Sequence, residues 1–162
     1  MSNFLLFGFF AVAVFIQSTV LNFFQIEGVK PDLGLVMVIF AALLRGYKAG
    51  CWCGFVGGLL EDIYTGNFFG LNILVKMYIG CLVGLAGKHF YKESLFVIIT
   101  ITWFASLVRG LGQYVFLNFA GFVVSPGPAL MKIILLVSFY NAITVPFLYP
   151  WFSRANKIYI PD

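Results

Sequence analysis

From Phe4 to Trp151 the chain reads as a series of apolar runs with scarcely a charge inside them. The runs are Phe4–Phe24, Pro31–Leu44, Lys48–Ile63, Gly70–Phe90, Leu95–Ala120 and Pro128–Trp151. Of the 162 residues, 62% are hydrophobic and 10% charged, against roughly 25% charged in an average soluble domain. A single soluble core of this size has too little interior for that much apolar surface, so lipid is the expected solvent. The net charge of +4 does not point to nucleic acid, because the Lys and Arg residues sit in short breaks between runs and form no stripe.

A helix needs about 20 residues to cross the hydrocarbon core. The first, fourth, fifth and sixth runs meet that length; the second and third fall short. Reading Pro31–Ile63 as one long span would bury Arg45 and Lys48, at about 2.5–3.5 kcal/mol for each cation. A hairpin of two short helices turning at residues 45–48 is favoured, with bilayer thinning or neighbouring helices accommodating their ends. The fold expected is therefore all-α: one integral membrane domain of six transmembrane helices. The first run lacks the basic flank and small-residue cleavage site of a signal peptide, and is expected to remain as a span.

Orientation follows from the cations. Arg45, Lys48, Lys88, Lys92, Arg154 and Lys157 fall at one set of alternate connections, and the opposite loops hold only Lys30. The positive-inside bias then places the 45–48 turn, the 88–94 turn and both termini in the cytoplasm. Tyr47, Tyr91, Tyr149 and Trp151 fall at the inner boundary, where interfacial aromatics are common.

Gly50, Gly54 and Gly58 recur every fourth residue on the third run, and Gly80 and Gly84 do so on the fourth, with Gly87 alongside. Each set shares a helical face of the kind that lets two backbones approach closely in lipid. Such a face serves either packing within the chain or a separate chain. Asp32, Glu61, Asp62, Lys76, Arg109 and Lys132 all belong to the outer half of the spans, where uncompensated charge is costly. Glu61 and Lys76 lie on or beside the two glycine faces and are expected to pair. The cluster reads either as paired charges that fix helix packing or as a polar cavity opening outward.

Nothing points to catalysis or a cofactor. The one histidine, His89, lies beside Lys88 and Lys92 at the inner interface, and neither HExxH nor GxSxG occurs. Ser94, Ser106 and Ser125 have no base within a turn. Cys51, Cys53 and Cys81 stand at no metal-ligand spacing and read as small buried residues.

The order Lys30-Pro31-Asp32, Arg45-Gly46, Gly54-Phe55, Gly58-Leu59-Leu60, Asp62, Gly66, Gly70-Leu71-Asn72-Ile73-Leu74, Lys76, Gly80, Gly84, Tyr91, Glu93 and Tyr140-Asn141-Ala142 resembles the MreD family of rod-shape-determining proteins. The likeness is strongest over residues 30–94. It implies a non-catalytic protein of the bacterial inner membrane that works in side-wall elongation. The implied partners are an MreC-like single-span protein and, indirectly, MreB and peptidoglycan synthases; the glycine faces add a second copy of this chain as a further candidate. It also implies a fold like the substrate-binding subunits of energy-coupling-factor vitamin transporters, and it matches the family's recurring acid and asparagine to Asp62 and Asn72. A vitamin-transporter subunit is the alternative, although the Ala-x-x-x-Ala grip of those subunits is missing: Ala11 and Ala13 are two apart.

Overall fold

The structure, a computed structural model, describes residues 31–66, 69–87, 94–122 and 127–159. The expected first span, Lys30, and the 88–93 segment with His89 lie outside the described residues. Within them are five helices: α1 (Leu33–Arg45), α2 (Tyr47–Thr65), α3 (Leu71–Ala86), α4 (Leu95–Phe119) and α5 (Pro128–Tyr159).

The hairpin expected at residues 45–48 is present and is tighter than the sequence suggests. Gly46, at φ 84°, is the single residue between α1 and α2. A side chain there would be strained, so glycine is what lets one helix reverse into the next without a loop.

Helix α1 is apolar around its whole circumference, the pattern of a helix enclosed on all sides. Every residue from Gly34 to Leu43 is buried, and the helix touches all four others. Its 13 residues span about 20 Å, less than a bilayer core. Enclosure eases the difficulty, since protein rather than lipid surrounds its length from Gly34 to Leu43.

Two expected lengths change. Helix α2 has 19 residues rather than the short run anticipated, and α3 has 16 rather than about twenty. Tyr64 and Thr65 are too polar to extend the run in a hydropathy reading, yet the helix continues through them to Gly66, whose left-handed conformation closes it. Helix α3 begins at Leu71, one residue after the expected start, and is short because it ends at Ala86, with Gly87 as its C-cap. Helix α5 runs through Pro146 and Pro150 to Tyr159, beyond the boundary expected at Trp151. Proline is tolerated in this way in membrane helices. Helices α4 and α5 are each long and apolar enough to cross a membrane.

The closest packing joins α2 to α3. A Cβ on Gly50 would collide with the backbone of Gly80, one on Gly54 with that of Lys76 and Met77, and one on Gly58 with that of Asn72 and Ile73. Gly84 meets the backbone of Gly46 and Tyr47 in the same manner. Both glycine faces are thus turned on each other inside the chain.

The cysteines depart from the reading of three ordinary buried residues. Cys51 and Cys81 form a disulfide, with their Cα atoms 4.9 Å apart, while Cys53 is free. The cause is local: Gly50 and Gly80 pack backbone to backbone, which carries the next residue of each helix to within bonding reach.

Candidate functional site: a buried ion cluster

Four charged side chains from four helices meet deep in the bundle. Asp32 precedes α1 and caps it, its Oδ1 accepting from the Leu35 N–H at 2.9 Å. The same oxygen accepts from Lys76 Nζ of α3 at 2.9 Å. Lys76 also donates to Glu61 of α2, the pairing expected from the helical faces. Arg109 of α4 completes the ring: its Nη2 donates to Glu61 Oε1 at 3.3 Å, and its Nε lies 3.0 Å from Asp32 Oδ2. That last contact is an ion pair without hydrogen-bond alignment. Two acids face two bases, so the cluster is neutral as a unit, the condition under which charge is tolerable in a membrane interior.

The cluster is not uniformly buried. Asp32 and Lys76 are 3% and 1% exposed, whereas Glu61 and Arg109 retain 15% and 13%. One limb is dry; the other lies at an edge.

A second, adjoining network is built on Asp62. Its carboxylate accepts from the backbone N–H of Gly70 at 2.9 Å and of Asn72 and Ile73 at 3.2 Å each. It also takes the Asn72 side-chain amide at 2.9 Å. These N–H groups belong to the first turn of α3, where a helix has unpaired donors and the positive end of its dipole. Asp62 is therefore the missing cap of α3: the residue that should cap it in sequence, Gly70, has no side chain to do so. Glu61 and Asp62 divide their work, one pairing cations and the other holding a helix terminus.

Asn72 passes the network to α4, its Oδ1 accepting from Gln113 Nε2 at 3.0 Å. On the other side the Asp32 N–H donates to Asn141 Oδ1 of α5 at 2.6 Å, and Asn141 Nδ2 donates to Ser106 Oγ at 2.9 Å. All five described helices are tied in.

All six residues of the expected polar cluster, Asp32, Glu61, Asp62, Asn72, Lys76 and Arg109, lie in these networks. Lys132 is exposed in the second turn of α5. Gln113, Ser106 and Asn141 were not foreseen as site residues. A signal for two of them existed: Thr102, Ser106, Arg109 and Gln113 follow spacings of four, three and four, a polar stripe along an otherwise apolar helix. Among the described residues no three His, Cys, Asp or Glu side chains are grouped to hold a metal ion.

Apolar helices gathered around a neutralised ion cluster define an all-helical membrane protein, as far as the described residues extend. Its family is equally plain: over residues 1–155 the chain matches, and so belongs to, the family of rod shape-determining protein MreD. That family consists of shape-determining membrane proteins and is not known as one of enzymes. No curated protein and no solved structure matches the chain.

Proposed function

We propose that the protein is a non-catalytic component of the bacterial wall-elongation machinery and helps maintain rod shape by holding the membrane span of an MreC-like partner. The observation that carries this reading is the family match over nearly the whole chain. Membership leaves the vitamin-transporter alternative without support.

The topology proposed is six spans with both termini in the cytoplasm, arranged as in the transporter substrate-binding subunits. It is supported by the described hairpin at Gly46, the lengths of α4 and α5, and the apolar run at residues 4–24. Cysteines substituted for Lys48 and Thr65, both exposed beside these turns, in a background without the native cysteines test it. In intact cells an impermeant thiol reagent should reach the second and spare the first; labelling of the first from outside would overturn the six-span arrangement.

Docking at the glycine face of α2 is disfavoured, since α3 already fills it. A better-suited surface is the groove between α3 and α4, about 540 Å³ in volume and lined by apolar residues such as Leu82, Ala86, Phe96 and Phe104. Association in lipid depends on close van der Waals fit, which a concave face supplies to a helix. Ala86→Trp, which obstructs the groove, should release a tagged MreC-like protein and round the cells. Leu111→Trp, on an exposed face outside the groove, should do neither. A folded Ala86→Trp protein that keeps both partner and rod shape would exclude the groove, and deletion of the gene without loss of rod shape would exclude the function.

A further inference from the structure

A second, smaller recess lies between α4 and α5, with a volume of about 160 Å³. Its walls include Leu117, Leu130 and Ile133, and Arg109, Gln113 and Tyr114 bring polar atoms to it. We propose that this recess is a water-filled inlet from the outer face of the membrane that wets the Arg109–Glu61 limb of the ion cluster. That the inlet opens outward rests on the orientation proposed above; the inlet itself does not.

Size comes first. Drug-sized ligands occupy about 300–1,000 Å³, so the recess is too small for one, yet it has room for several waters. A cavity holds water when polar partners are within reach, and stays dry when its walls are hydrocarbon. Here the Arg109 guanidinium contributes donors, and Gln113 spends its amide N–H on Asn72 while keeping an oxygen to accept. Tyr114 adds a hydroxyl. A lipid methylene in the same space would leave the remaining donors and acceptors of these groups unmet, which is unfavourable. The cluster is neutral, so an ion gains no net attraction and water is the favoured occupant.

The uneven burial of the cluster is an independent observation pointing the same way. The two side chains with residual exposure are Arg109, which lines the recess, and its partner Glu61; Asp32 and Lys76, on the far side, have almost none. Arg109 is the fifteenth of the 25 residues of α4, leaving about 15 Å of helix between it and the outer end. Lipid could not hydrate a charge at that depth.

Cysteine accessibility decides it. Gln113→Cys and Leu117→Cys face the recess, whereas Leu111→Cys and Val115→Cys lie on the exposed apolar side of the same stretch of helix. A small charged methanethiosulfonate added to intact cells should modify the first pair at least tenfold faster than the second. Adding Ile133→Trp, which fills the recess, should abolish the difference. Equal rates for all four positions, or no reaction at the first pair from either side although the unfolded proteins react, would overturn the inlet. Reaction confined to inside-out vesicles would keep the inlet and reverse the proposed orientation. Leu117→Cys stands outside the hydrogen-bond network and still reads the inlet if Gln113→Cys fails to fold.

Discussion

Lys76 Nζ lies 2.9 Å from Asp32 Oδ1, joining residues 44 positions apart in the chain, and both side chains are almost wholly shielded. Neither is tolerable there without the other. Lys76 holds a second acid, Glu61, and Asp32 a second cation, Arg109, so each charge has two partners.

Removing one member should therefore be severe, and removing a matched pair less so. Lys76→Met leaves two carboxylates to share one cation, Arg109, and loss of one partner of a buried pair costs about 3–5 kcal/mol. Glu61→Gln should cost less, because Glu61 sits at the wetter edge. Thermal melting of the single and double variants in detergent should show the double loss smaller than the sum. Additive losses would mean that the contact carries no coupling.

The Asp62 cap makes a separable prediction. Asp62→Ala leaves the first amides of α3 without their acceptor, and caps of this kind are worth about 0.5–2 kcal/mol. Hydrogen exchange should accelerate at Asn72 and Ile73 in this variant while α4 stays protected. In Glu61→Gln those same amides should keep their protection.

Glycine positions should divide sharply. Gly54→Ala drives a methyl group into the backbone of Lys76 and Met77, which has no rotamer with which to yield, so a loss of several kcal/mol or failure to fold is expected. Gly112→Ala places its Cβ 3.9 Å from Val75, an ordinary contact, and should shift the melting temperature by no more than a surface change does.

Alkylation under denaturing, non-reducing conditions should modify Cys53 alone. After reduction all three cysteines should react, with peptide mapping recovering the Cys51–Cys81 link only before it. Recovery of three alkylated cysteines without reductant would show that the link does not form in the cell.

How much of this could be read from residues alone follows from the range of each interaction. The α1–α2 reversal was legible because Arg45-Gly46-Tyr47-Lys48 is a local signal, and the glycine faces because helical periodicity is local too. The Glu61–Lys76 pair was within reach because neighbouring helices of a hairpin face each other. Arg109 was legible as a member of the outer cluster but its partners were not, and Asn141 was not placeable: which face of α4 or α5 meets α1 depends on packing that no short window encodes. The cap of α3 lay hidden for a related reason. Its acceptor, Asp62, closes the preceding helix, and a reading that seeks caps immediately upstream finds only Gly70. The disulfide was invisible because it follows from a backbone contact between residues thirty positions apart.

The enclosure of α1 also bears on how the protein can be made. The ribosome delivers the chain in order, at about 5–20 residues per second. Asp32 therefore enters the membrane before any of its partners has been synthesised. Lys76 arrives with α3, Arg109 with α4, and Asn141 last of all. Until then an unshielded carboxylate and a helix too short to span alone must be sheltered by something other than their final neighbours. Late synthesis of the partners makes assembly a closing step rather than a sequence of independent insertions, and a chain cut short before α4 should be cleared by proteolysis instead of persisting as a partial bundle.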